Sequence, residues 1–272
     1  MKQKIKKVCS IVLVLSLLFC GSTYAAASPF PDIAGHWAEG IITTLAERGV
    51  INGFPDGTAK PDNIITRGEF TALLVRYLKL DTTKAEKEPP TFDDIDSHWS
   101  EINIEALVDS RILDPEDYDG SLLPNEPITR IEIIRMMVRA IGKGEEAKQS
   151  TENTYFKDDN AINTSDKGYV ILAKKYELIT GYPDNTIRLD VKSTRAEAFA
   201  LLLRQEEALD KIKKELDKEI EKKDEKEQSS GSSVSYPKAQ VAFELPAAAH
   251  TDTSIYNNAC YKIHQGTHMV DH

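Results

Sequence analysis

Apolar residues recur along this chain at helical rather than strand spacing. Three runs stand out: FTALLVRYL from Phe70, IIRMMVRAI from Ile133 and FALLLR from Phe199. Each is preceded by a shorter segment of the same period, at Ala38–Arg48, Ser100–Ser110 and Asp166–Tyr176, the first with Ile41, Ile42, Leu45 and Ala46 on one face. The pattern predicts an all-α chain built of paired helices. The last run continues into 205–228, a Glu-, Lys- and Asp-rich stretch whose sparse stripe is Leu209, Ile212, Leu216 and Ile220. That stretch reads as a solvated single helix or weak coiled coil, or as a charged spacer.

The helix starts are copies of one another. ITRGEF at Ile65–Phe70 returns as ITRIEI at Ile128–Ile133 and as STRAEA at Ser193–Ala198, which places Arg67, Arg130 and Arg195 63 and 65 residues apart. A period of this size marks a repeated structural unit. Thr followed three residues later by Glu is a capping box, in which each side chain bonds the other's backbone amide. The arginine between them gains nothing from the positive end of the helix dipole. A guanidinium beside free helix amides, three times over, points to anion binding. The bland alternative is an ion pair with a carboxylate of a neighbouring unit.

Upstream motifs repeat as well. Phe30-Pro-Asp32 to His36-Trp37 matches Phe92-Asp-Asp94 to His98-Trp99, and Phe156-Lys-Asp158 opens a third unit that has Ser165 near the Trp position. The fixed Phe-to-Trp spacing assigns Trp37 and Trp99 to the core, with sugar stacking as the alternative. Asp32, Asp94 and Asp158 are expected to cap the first helices, with ligand contact second. His36 and His98 are expected to face solvent or to cap as well. Between the helices lie Gly53-Phe54-Pro55-Asp56-Gly57 and Gly181-Tyr182-Pro183-Asp184-Asn185, turns that expose Phe54 and Tyr182 to a ligand. Unit two has Asp114–Gly120 there and lacks the Gly-aromatic pair. The polar stretches Asp81–Thr91 and Lys143–Thr154 read as exposed connectors.

Charge and targeting narrow the setting. Residues 1–27 carry a basic start (Lys2, Lys4, Lys6, Lys7), the apolar Ile11–Phe19 and a small-residue exit, the layout of a secretory signal. Bulky Phe19 disfavours a lipoprotein cut before Cys20. Removal of the signal's four lysines takes the net charge from −10 to about −14 and leaves Cys260 as the one cysteine. So acidic a chain is not a general binder of nucleic acid or anionic membrane, and an anion site on it must be local. His264, His268 and His272 lack further ligands, so no metal or other cofactor is expected. No catalytic constellation is apparent, which points to a non-enzymatic role.

These motifs resemble the S-layer homology domain, the wall-anchoring module of bacterial surface proteins. The resemblance rests on Phe30-x-Asp32, His36-Trp37, Gly53 to Gly57 and Thr66-Arg67-x-Glu69 with their later counterparts, and covers about 30–204. It implies three tandem helix-turn-helix repeats (28–81, 92–143 and 155–204) assembled as a pseudo-threefold helical bundle, followed by a charged helical stalk at 205–228 and a linker and short tail at 229–272. It implies a secondary cell-wall polysaccharide, often pyruvylated, bound in grooves between repeats by Arg67, Arg130, Arg195, Gly53, Phe54, Gly181 and Tyr182. Secretion to the bacterial cell wall or surface follows. Three features depart from the family: Gly68, where Ala is usual, the unit-two turn, which lacks the Gly-aromatic pair, and unit three, which lacks the Trp. The rival classes are the anchoring part of a wall-acting enzyme and a lattice-forming S-layer protein.

Overall fold

The computed structural model describes residues 28–83, 85 and 89–229; the stretch 1–27, expected to be a secretory signal, and the segment 230–272 with its histidines and Cys260 lie outside them. The described chain is helical, with isolated bridges in place of any sheet. Helix α1 (Glu39–Glu47) and α2 (Arg67–Leu78) form unit one, and α3 (Glu101–Asp109) and α4 (Arg130–Ala140) form unit two. A short helix α5 (Gly144–Gln149) leads to unit three, made of α6 (Thr164–Lys175) and α7 (Arg195–Ser229).

Each second helix starts where the sequence places it. Thr66 and Glu69, Thr129 and Glu132, and Thr194 and Glu197 make the reciprocal capping bonds. The residues just before these helices meet in a closed cycle of backbone bonds. Ile65 N–H donates to Ser193 O, Ser193 N–H to Ile128 O and Ile128 N–H to Ile65 O, at 3.1, 3.1 and 3.0 Å. Packing follows the same order: α2 lies against α3, α4 against α6, and α7 returns to α1. Ile42, Leu45, Ile104, Leu107, Val170 and Ala173 are all buried within one apolar cluster.

Three expectations are corrected. Trp37 and Trp99 are 62 % and 59 % exposed; Phe30 and Phe92, seven residues earlier, take the buried place. Asp32, Asp94 and Asp158 do not cap the first helices. Each carboxylate instead accepts two amides from the stretch before the second helix: Ala59 and Lys60, Leu122 and Leu123, Ile187 and Arg188. A short carboxylate there ties the two ends of its unit together. Lys143–Thr154, though mostly exposed as expected, is not a plain connector either. It holds α5, which packs on α6 with Ala147 buried so close to Gly168 that a Cβ on the glycine would lie 1.9 Å from the Ala147 carbonyl.

The charged stretch continues α7 without a break, which decides for the helix over the charged spacer. Its first turns are part of the packed body: Gln205 and Ala208 are buried, and Leu209 and Ile212 rest on the core. Arg48 and Glu206 pair across to unit one at 2.5 Å.

Candidate functional site

The repeated arginines lie at the three junctions between units, and the structure removes one part of the sequence argument. The helix-start amides are not free for an anion. Arg67 and Gly68 donate to Glu126 and Pro124, Arg130 and Ile131 to Val191 and Leu189, and Arg195 and Ala196 to Asn63 and Pro61. Each helix start is therefore sealed by the next unit in the cycle, and anion binding falls to the guanidinium and its aromatic neighbour.

Each guanidinium lies over an aromatic ring of the next unit. The centroid distances are 5.9 Å for Arg67 over Tyr118, 5.2 Å for Arg130 over Tyr182 and 4.6 Å for Arg195 over Phe54. Unit two thus supplies an aromatic ring after all. A 3₁₀ turn at Pro115–Asp117, with Asp114 accepting from the Glu116 amide, brings Tyr118 edge-on to Phe92 at 5.8 Å. Gly53 and Gly181 have a structural task. At φ +73° and +81°, each sits so close to Phe30 or Phe156 that an added Cβ would lie 2.4 Å from the ring.

The junctions differ in what balances the arginine. Arg67 Nε donates to Glu132 at 2.5 Å, and Arg195 donates to the Ala59 carbonyl at 2.9 Å and approaches Glu69 at 3.5 Å. Ion pairing with a neighbouring unit, the bland alternative, is therefore real at these two. Arg130 is buried, yet its Nε has no hydrogen-bond partner, and Glu197 accepts from the Tyr182 hydroxyl at 3.2 Å. Burial pushes the Arg130 and Arg195 guanidinia below their ordinary pKa, and it pushes the Tyr118 and Tyr182 phenols up. None of these shifts removes the arginine charge near neutrality.

A second cation sits beside two of the rings. Lys60 lies 4.2 Å from Phe54 and Arg188 4.3 Å from Tyr182, each also paired with the turn aspartate, Asp56 or Asp184. Lys60, Leu123 and Arg188 are equivalent: all three have positive φ and donate their amide to the unit's Asp. Where units one and three place a cation, unit two places an exposed leucine.

A polar cleft of about 310 Å³ opens between units two and three, walled by Arg67, Tyr118, Glu132, Arg135, Asp166 and Asp190 among others. A neighbouring cleft of about 270 Å³ adds Asp114, Arg139, Lys148, Ser165 and Tyr169. Arg135 bridges Asp166 at 2.7 Å and Asp117 at 3.8 Å, and Arg139 grips Asp117 with both Nη atoms. The sequence reading missed this network. Its signal was an arginine at 135 where the other repeats carry Ala72 and Ala200. Carboxylates outnumber cations along both clefts, so they are poor places for an anion.

Three cyclically linked helical units with matching arginine–aromatic junctions define a tandem-repeat helical module. The S-layer homology domain family matches residues 29–71, 91–134 and 155–199, and the chain carries three tandem repeats of that family. S-layer homology domains are non-catalytic modules that bind cell-wall polysaccharide and anchor surface proteins to the wall. Similar proteins include an amylopullulanase of Thermoanaerobacterium thermosulfurigenes, 32 % identical over 66 % of this chain and 10 % of the relative. A cellulosome-anchoring protein of Acetivibrio thermocellus is 32 % identical over 57 % and 34 %. The S-layer protein EA1 of Bacillus anthracis is 35 % identical over 43 % and 13 %. The chain spans about a third or less of the length of these relatives.

Proposed function

We propose that this chain anchors to the bacterial cell wall by binding an anionic secondary polysaccharide at the junctions between its repeats, without catalysis of its own. The observation that carries this reading is Arg130, a guanidinium set over the Tyr182 ring and, unlike Arg67 and Arg195, without an ion pair among the described residues. A pyruvate ketal offers a planar carboxylate suited to such an unpaired guanidinium. Arg188 beside the same ring and Lys60 beside Phe54 add positive charge at the two–three and three–one junctions. The one–two junction, with Leu123 and a paired Arg67, suits a neutral part of the polymer. The cycle of backbone bonds supports a pseudo-threefold body in which the junctions act together. Enzymes among the relatives favour a second setting, in which such a module holds a wall-acting catalytic domain.

The test is pelleting and calorimetry with purified walls, before and after extraction of the non-peptidoglycan polymer. Binding should vanish with the polymer; equal pelleting with extracted walls would reject the reading. With a pyruvylated saccharide, Arg130→Ala should weaken binding by about 1.5–3 kcal/mol. Arg188→Leu, which copies unit two, should weaken it by a smaller amount and leave a saccharide stripped of its ketal unaffected.

A further inference from the structure

Trp37 and Trp99 have no task inside the protein. Both rings are mostly exposed, and both are held in the same way. His36 Nδ1 accepts the Ala38 amide at 3.1 Å and His98 Nδ1 the Ser100 amide at 3.2 Å, with each imidazole 5.5 Å from its tryptophan at a 36–39° tilt. The other imidazole nitrogen bonds Asp62 or Asn125 at 3.2 Å. Those residues sit beside Pro61 and Pro124, whose carbonyls receive the amides of Ala196 and Gly68, the neighbours of Arg195 and Arg67. Each tryptophan thus belongs to a corner that is hydrogen-bonded to the rim of a junction, Trp37 at three–one and Trp99 at one–two. The third junction has Ser165 at that position, and there the wall opens into the polar cleft instead.

We infer that Trp37 and Trp99 are stacking platforms for pyranose rings of the polymer, second subsites that receive the chain as it leaves the arginine junctions. This rests on the wall-polymer reading and extends it from the charged end of the ligand to its uncharged sugars. Two features favour a sugar over a protein partner. The rings take equivalent places in units one and two, as the repeats of a polymer would require, and each adjoins an arginine junction. An indole face is apolar and wide enough for the C–H side of a pyranose, and the histidine holds its backbone in place before binding.

These are the two tryptophans of the whole chain, so its indole fluorescence reads this surface alone. Titrating the full chain with the polymer released from purified walls should quench the emission or shift it to shorter wavelength. Trp37→Ser and Trp99→Ser, each copying unit three, should each remove part of the change, and the double variant should bind about three- to ten-fold more weakly. Trp→Tyr at both positions should restore binding but not the signal. Far-UV circular dichroism and thermal melts of all variants should match the parent, as expected for exposed rings. Pelleting with an unmoved emission spectrum, or full affinity in the double Ser variant, overturns this inference alone. An emission change that follows protein concentration without polymer would show that a second copy covers the rings, and would overturn it too. Failure to pellet with polymer-bearing walls would overturn the anchoring reading and this inference together.

Discussion

At the scale of single residues, the acidic groups bind backbone amides and cations, and this makes a prediction about pH. Burial raises the Asp32 carboxyl, but the Ala59 and Lys60 amides outweigh it and hold the group below its ordinary value. Asp56 and Asp184 are lowered to about 2, first by the Thr58 and Thr186 hydroxyls and then by Lys60 and Arg188. A folded value below the ordinary 3.8 gives stability that is present above that value and lost as pH falls through the folded one. Melting temperature should therefore be flat near neutrality and fall between about pH 4 and pH 2. Asp184→Asn and Asp56→Asn should melt below the parent at neutral pH, with the curves converging at about pH 2; parallel curves down to that pH would refute the assignment. A second prediction separates the glycines. Gly53→Ala and Gly181→Ala meet a Phe ring at positive φ and should cost on the order of 2–4 kcal/mol, whereas Gly120→Ala meets nothing and should cost only about 1–2. Urea unfolding compares the three directly.

At the scale of the element, what was readable was what is local. Capping boxes span three residues and helix faces three or four, so Thr66–Glu69 and the apolar runs announced themselves. The errors all involve a partner far along the chain. Asp32 looks like a helix cap until its amides prove to be those of Ala59 and Lys60. Tyr118 stands one place off the alignment with Phe54 and Tyr182, and only the 3₁₀ turn brings it under Arg67. Trp37 and Phe30 are equally apolar, and nothing in their spacing says which one the neighbouring helices cover. Gly68 belongs to the same class. By propensity it weakens α2, and alanine there looks like an improvement. In the fold, a Cβ would lie 2.8 Å from Ser100 Oγ and 3.1 Å from the Pro124 carbonyl. Gly68→Ala should thus destabilise by about 1–3 kcal/mol despite the gain in helix preference. Combining it with Ser100→Ala should recover part of that loss, because the hydroxyl is the closer obstacle; a double mutant no better than the single would place the strain at the carbonyl.

For the whole molecule, cyclic closure decides where the body ends. Unit one is completed by unit three: α7 packs on α1, Arg195 reaches Ala59, and Arg48 reaches Glu206. A boundary drawn at the end of the repeat motif, between 204 and 205, would cut through this contact. It would remove buried Gln205 and Ala208 and the supporting Leu209 and Ile212, together with the pairing of Lys211 with Glu177. Further along the same helix Leu216 and Ile220 are exposed. Chains ending at Arg204 and at Glu221 should therefore behave differently. The longer one should melt in a single transition at the parent temperature and bind polymer with unchanged affinity. The shorter one loses apolar burial worth roughly 3 kcal/mol, which for a body of this size lowers the melting temperature by about 6–12 °C. It should also lose affinity at the three–one junction, because the same helix positions Arg195. Calorimetric melts of the two truncations decide the matter: equal melting temperatures would mean that the charged helix is an appendage from its first turn, and that the ring of repeats is closed without it.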